Sequence, residues 1–217
     1  MKHVLREQAS AERGASLMAH PPLDRIGPHT AHLCIDMQNM YLPGSPWHAP
    51  WIERVLPNVL RLAQHHPSCN VFTRFIPPHR STERSGRWKK YFDQWHALTQ
   101  AEAPPHYIEL IDPLRALAST GSVVDKPAYC PFYGTGLAAL LQERHIDTVI
   151  LSGTETDVCV ASAVFACIDH GWRTIVAADA VCSSADETHD KQLRLYRSRF
   201  SLQLEVAGID DIFQAWR

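Results

Sequence analysis

The run Thr148-Val149-Ile150-Leu151-Ser152-Gly153 is apolar at successive positions instead of alternate ones, so a strand built from it must be covered on both faces. Such a strand belongs inside a parallel sheet, and each parallel neighbour requires a crossover, normally a helix. The rest of the chain supplies both kinds of segment. Thr30 to Asp36, Asn70 to Phe75, Ser122 to Lys126 (cut off by Pro127) and Thr174 to Asp179 read as further short strands, with a last apolar piece around Leu202 to Val206. Between them lie segments of helical period. In Trp51 to His65 the apolar residues are Ile52, Val55, Leu56, Val59, Leu60 and Ala63, and similar helices are expected over 135–144, 157–170, 185–198 and onward from Ile209. Strands alternating with helices at this spacing give an α/β fold, a three-layer αβα sandwich around a mostly parallel, Rossmann-like sheet.

At 217 residues the chain is long enough for a single well-buried core. Residues 1–29 are polar and interrupted by Pro21-Pro22 and Gly27-Pro28, so we expect an N-terminal arm followed by one domain over 30–217. Arms of this kind pack on a second subunit, which points to a homo-oligomer, a dimer or tetramer. A formal net charge of −2 gives no reason to expect nucleic acid or a membrane surface as partner, and leaves a small-molecule substrate. The six cysteines, Cys34, Cys69, Cys130, Cys159, Cys167 and Cys182, form no CxxC pair and suit free thiols in a reducing, cytoplasmic setting. No secretory signal or apolar run of membrane-spanning length is read.

In open parallel sheets the ligand crevice lies beyond the carboxyl ends of the strands. Asp36 and Lys126 each end an apolar strand there, where a charge has little purpose unless it reaches a site. Cys159, in Gly153-Thr154-Glu155-Thr156-Asp157-Val158-Cys159-Val160, falls between a strand end and the first turn of a helix. That position exposes a thiol to the positive end of the helix dipole, which is expected to lower its pKa. The other five cysteines read as buried apolar residues. Histidine is the usual base for such a thiol, but none of the 13 histidines falls at a strand's carboxyl end.

Three segments, Cys34-Ile35-Asp36-Met37-Gln38-Asn39, Val124-Asp125-Lys126-Pro127 and the block containing Cys159, resemble the signature blocks of the isochorismatase-like cysteine hydrolases, in the family's order. The likeness runs from about residue 30 to residue 207. It implies a triad of Asp36, Lys126 and Cys159, a non-proline cis peptide at Thr154–Glu155, and an oxyanion hole formed by the backbone N–H groups of Glu155 and Cys159. The activity implied is hydrolysis of a C–N bond in a small amide, carbamoyl or ureido compound through a cysteine-linked acyl intermediate. Asp179-Ala180-Val181-Cys182-Ser183-Ser184 resembles a further, structural block.

Members that act on the vinyl ether of isochorismate lack the cysteine, so Cys159 places this chain with the amidohydrolases. The D-x-H pattern through which related nicotinamidases bind a metal is missing at Trp47-His48 and Pro78-His79-Arg80, so neither a metal nor another cofactor is expected. An alternative is a catalytically idle member used for binding or assembly. A nucleotide-binding Rossmann domain is disfavoured because Asp36-Met37-Gln38-Asn39 replaces the glycine-rich turn after the first strand. Phe75, Trp88, Trp95, Phe132 and Tyr133 are the candidate pocket residues. Glu155 sits where relatives carry a small or apolar residue, and its side chain either accepts hydrogen bonds from substrate or points outward into solvent.

Overall fold

The computed structural model describes residues 22–217. Its centre is a six-stranded sheet in the order β3-β2-β1-β4-β5-β6, with every neighbouring pair parallel. The strands are β1 (Thr30–Ile35), β2 (Asn70–Phe75), β3 (Ser122–Lys126), β4 (Thr148–Thr154), β5 (Arg173–Cys182) and β6 (Leu204–Ala207). The helices are α1 (Ile52–His65), α2 (Gly86–Gln94), α3 (Asp112–Leu117), α4 (Leu137–Glu143), α5 (Cys159–Asp169), α6 (Asp186–Arg199) and α7 (Ile209–Ala215).

Both sheet faces are apolar because successive residues serve opposite layers. Ala31, Leu33 and Ile35 of β1 join Val149 and Leu151 in a core shared with Leu137 and Leu141 of α4 and Val160 and Val164 of α5. Cys34, Phe72, Ile150 and Ile175 face the other way, onto Ile52, Val55 and Val59 of α1 and Ile212 of α7. Each fully buried Leu, Ile or Phe side chain stabilises the fold by about 1.5–3 kcal/mol relative to exposure. The α/β sandwich expected from the sequence is therefore the fold, and its sheet is parallel throughout.

Strand order reverses between β1 and β4, and that switch point opens the crevice at their carboxyl ends. The two strands approach closely there. Gly153 has φ of +109°, and a Cβ on it would lie 2.0 Å from the Ile35 carbonyl oxygen, so only glycine fits. Asp36 itself takes a positive φ of 48°, a turn that aspartate tolerates better than most residues.

Two stretches differ from the sequence expectation. β5 continues past Asp179 to Cys182, because a register shift between Leu151 and Gly153 lets Val181 and Cys182 pair again with Gly153 and Thr154. Helix α3 was not anticipated, since six residues with Leu114 as the one buried position are too few to show a helical period. Of the arm expected over 1–29, residues 1–21 lie outside the described residues. The remainder runs along the domain, with Ile26 buried, its N–H donating to the Ala215 carbonyl at 3.0 Å, and Arg173 donating to the Asp24 and Arg25 carbonyls. Among the described residues no helix is long and apolar enough to cross a membrane.

Candidate active site

Asp36 follows β1 directly, Lys126 is the last residue of β3, and Cys159 is the first residue of α5. The fold brings all three together beyond the strand ends. The Lys126 ammonium forms an ion pair with Asp36 Oδ2 at 2.7 Å and donates to Cys159 Sγ at 3.4 Å and to the Ala128 carbonyl oxygen at 3.0 Å. Its charge also lies 5.0 Å from the centroid of the Phe75 ring. The other carboxylate oxygen of Asp36 accepts the Thr73 hydroxyl at 2.6 Å, while the Asp36 N–H donates to Thr73 Oγ1 at 3.1 Å. Asp36 and Lys126 are fully buried and Cys159 is 3 % exposed.

Two of these charges cancel. Burial opposes the Lys126 ammonium, but the Asp36 carboxylate and the Cys159 sulfur outweigh it and raise the pKa of Lys126. The thiol behaves differently from the sequence expectation. Burial pushes the Cys159 pKa up, and the neighbouring Asp36 carboxylate adds to the rise while Lys126 opposes it. The helix terminus is where the sequence placed it, but in a buried site whose single ion pair is already neutral a thiolate would add an uncompensated charge. Burial therefore favours the neutral thiol over the thiolate.

The peptide bond Thr154–Glu155 is cis. In the turn that follows, the Val158 and Val160 N–H groups both close on the Glu155 carbonyl, at 3.1 and 3.0 Å. The N–H groups of Glu155 and Cys159 form no bond of this kind among the described residues. The turn is braced from the end of β5 and the loop after it: Thr156 N–H donates to the Cys182 carbonyl at 2.8 Å, Ser183 donates to Asp157, and the Ser184 N–H donates to Glu155 Oε1 at 3.0 Å.

Cys159 opens into a cavity of about 230 Å³. Phe75 and Trp95 line it as anticipated, and so does the side of Glu155, the inward of the two placements considered for that residue. Three pocket expectations are corrected. Trp88 stands one layer back, packed on Phe75, Phe92 and Tyr129. Phe132 packs at a tilt against His170 and Trp172 and does not line the cavity, and Tyr133 is 67 % exposed. Both follow Pro131 in a turn that carries the chain away from the crevice toward α4. The walls that sequence reasoning missed are Tyr41, Trp47 and His48 from the loop after β1, Tyr91 from α2 and Tyr129 after β3. The loop residues have no period to reveal them. The spacing of Trp88, Tyr91, Phe92 and Trp95 is that of one helical face, and it does not distinguish the rings that face the cavity from those packed behind it.

A family model described as "Isochorismatase domain" matches residues 30–207. A maleamate amidohydrolase from Pseudomonas putida is 29% identical over 175 residues, covering 77% of this chain and 79% of that protein. An N-carbamoylsarcosine amidase from Arthrobacter is 27% identical over 158 residues, covering 71% of this chain and 60% of the relative. Among solved structures, a cysteine hydrolase from Pseudomonas syringae pv. phaseolicola superimposes with a TM-score of 0.71 at 23% identity, over 91% of this chain and 98% of that one.

Proposed function

The chain belongs to the isochorismatase family, and from that membership together with the crevice geometry we propose that it hydrolyses the C–N bond of a small amide, carbamoyl or ureido compound, with Cys159 as nucleophile. The observation that carries the reading is the Lys126 ammonium bridging the Asp36 carboxylate and the Cys159 sulfur, at 2.7 and 3.4 Å, with Cys159 lining a small cavity. Names of relatives such as maleamate amidohydrolase and N-carbamoylsarcosine amidase describe cleavage of the same bond type.

In the first half-reaction Asp36 takes the thiol proton as Sγ attacks the substrate carbonyl carbon. The raised pKa of Cys159 makes this coupled transfer necessary, because little thiolate is present beforehand. The carbonyl π electrons move to oxygen, and the free N–H groups of Glu155 and Cys159 are the donors available to that oxyanion. Protonated Asp36 then gives its proton to the leaving nitrogen, the C–N bond breaks, and ammonia or an amine departs from a thioester or thiocarbamate. In the second half-reaction Asp36 removes a proton from water, hydroxide adds to the acyl carbon, and sulfur leaves and regains the proton. Lys126 stays charged throughout, holding Asp36 in place and damping the negative charge that passes between carboxylate and sulfur.

The test is an ammonia-release assay over amides, carbamoyl amino acids and ureas with wild type and Cys159→Ala. Wild type is expected to release ammonia from at least one class, and acid-quenched protein to carry the acyl mass on the peptide containing Cys159. Equal release by Cys159→Ala would sink the mechanism.

A further inference from the structure

The cavity above Cys159 has an unbalanced charge. Asp36 and Lys126 neutralise one another, which leaves the Glu155 carboxylate as the net charge at the wall. No lysine or arginine lines the cavity, and Glu155 makes no salt bridge among the described residues. Its Oε1 is fixed by the Ser184 backbone N–H at 3.0 Å, so the group is positioned, not swinging in solvent. Burial raises its pKa, opposed by the hydrogen bonds from Ser184. A half-buried carboxylate without a cation is the costly member of an ion pair whose partner is missing.

Much of the remaining wall is aromatic. Trp47 is its hub, with ring centroids 5.9 Å from Tyr91 at 44° and 6.2 Å from Trp95 at 68°. Rings set at such angles present faces and edges to one small volume, the arrangement in which indole and phenol faces hold an alkylammonium group. The volume of about 230 Å³ equals roughly eight water molecules at about 30 Å³ each, enough for an amide with one compact head group.

We infer that this cavity selects amides bearing a cationic head group, with Glu155 as the countercharge and the rings of Trp47, Tyr91 and Trp95 as the cage. The inference rests on the hydrolase reading for which end of the ligand meets Cys159, and it assigns the other end. A carboxylate-bearing amide of the same size would meet Glu155 with no lysine or arginine at the wall to pair it, His48 being the one basic side chain there.

Three amides of similar size test this: trimethylammonioacetamide, its uncharged isostere 3,3-dimethylbutanamide, and succinamate. Binding to Cys159→Ala, followed by calorimetry, separates recognition from turnover. The cation should bind tighter than its isostere by roughly tenfold or more, with succinamate weakest. Adding Glu155→Gln should reduce the cation's advantage to about threefold or less. Trp95→Leu, which leaves the turn untouched, should reduce it as well and covers the case of a Glu155 variant that folds poorly. Equal binding of cation and isostere, no binding of any of the three at millimolar concentration, or a preference undiminished in both variants would overturn the inference. Ammonia release by wild type, measured on the same compounds, keeps the two readings apart. A cation preference without turnover supports this inference and counts against hydrolysis; turnover of neutral or anionic amides without a cation preference does the reverse.

Discussion

Lys126 is the residue on which the site's stability and its chemistry both depend. Its removal would leave Asp36 buried at 0% exposure, with the Thr73 hydroxyl as its remaining side-chain donor. Lys126→Met is therefore expected to destabilise the fold by about 3–5 kcal/mol, the range for orphaning a buried charge. Adding Asp36→Asn removes the orphan, and the double variant should recover much of that loss while ammonia release stays reduced by roughly 10²–10⁴-fold, as expected when the general base is gone. Denaturant titration of the single and double variants beside wild type checks this. A double variant no more stable than Lys126→Met would show that the loss came from packing and not from charge. Asp36 and Lys126 were legible in the sequence because a charge closing an apolar strand stands out. Thr73, which holds the second carboxylate oxygen, was not, because a threonine inside a strand is ordinary.

At the scale of elements, the crevice depends on strand ends being held at fixed separations, and two residues do this without touching the reacting groups. Gln38 donates to the carbonyls of Phe75 and Ile108 at 3.0 and 2.9 Å and accepts the Phe75 N–H at 2.7 Å, so it clamps the turn after β1 to the end of β2. Gln38→Leu would leave one buried N–H and two carbonyls without that partner, and a loss of about 2–4 kcal/mol is expected from unsatisfied polar groups. Thermal unfolding checks it, together with a fall in activity because Asp36 lies two residues away. Gly153 holds β4 against β1 by having no side chain. Gly153→Ala must move one strand, since its Cβ would lie 2.0 Å from the Ile35 carbonyl oxygen at a φ of +109°. We expect about 3 kcal/mol or more of destabilisation by the same measurement. The six strands and the helices α1, α4, α5, α6 and α7 were readable from hydrophobic period, whereas α3 is too short to show one. The close β1–β4 approach and the register shift in β5 were not, because both arise from contacts between strands distant in sequence.

For the whole molecule, parallel topology was legible because both faces of the strands are apolar, but one polar row crosses the sheet. His32 in β1 lies 2.7 Å from Asn70 Oδ1 on β2 and 2.7 Å from Ser152 Oγ on β4, and Asn70 in turn donates to the carbonyls of Ala63 and Pro67. From sequence, a histidine near the start of a strand carried no such meaning, since its partners sit 38 and 120 residues away. Burial lowers the pKa of His32 from 6.5 to about 4, against the hydrogen bond that its ring donates to Asn70 Oδ1, which raises it. As pH falls through the window from 6.5 toward about 4, the unfolded chain binds a proton that the folded chain refuses, so this contribution to stability is present above the window and is lost within it. The shift corresponds to a loss of roughly 3 kcal/mol by the bottom of the window. Replacing His32 with Gln keeps a donor and an acceptor for Asn70 and Ser152 but cannot titrate. Unfolding free energies of the two proteins, measured at intervals across that range, should therefore converge as the pH is lowered, with wild type losing stability faster. Parallel curves would mean that water reaches the central strands of the sheet and that His32 titrates as it does in the unfolded chain.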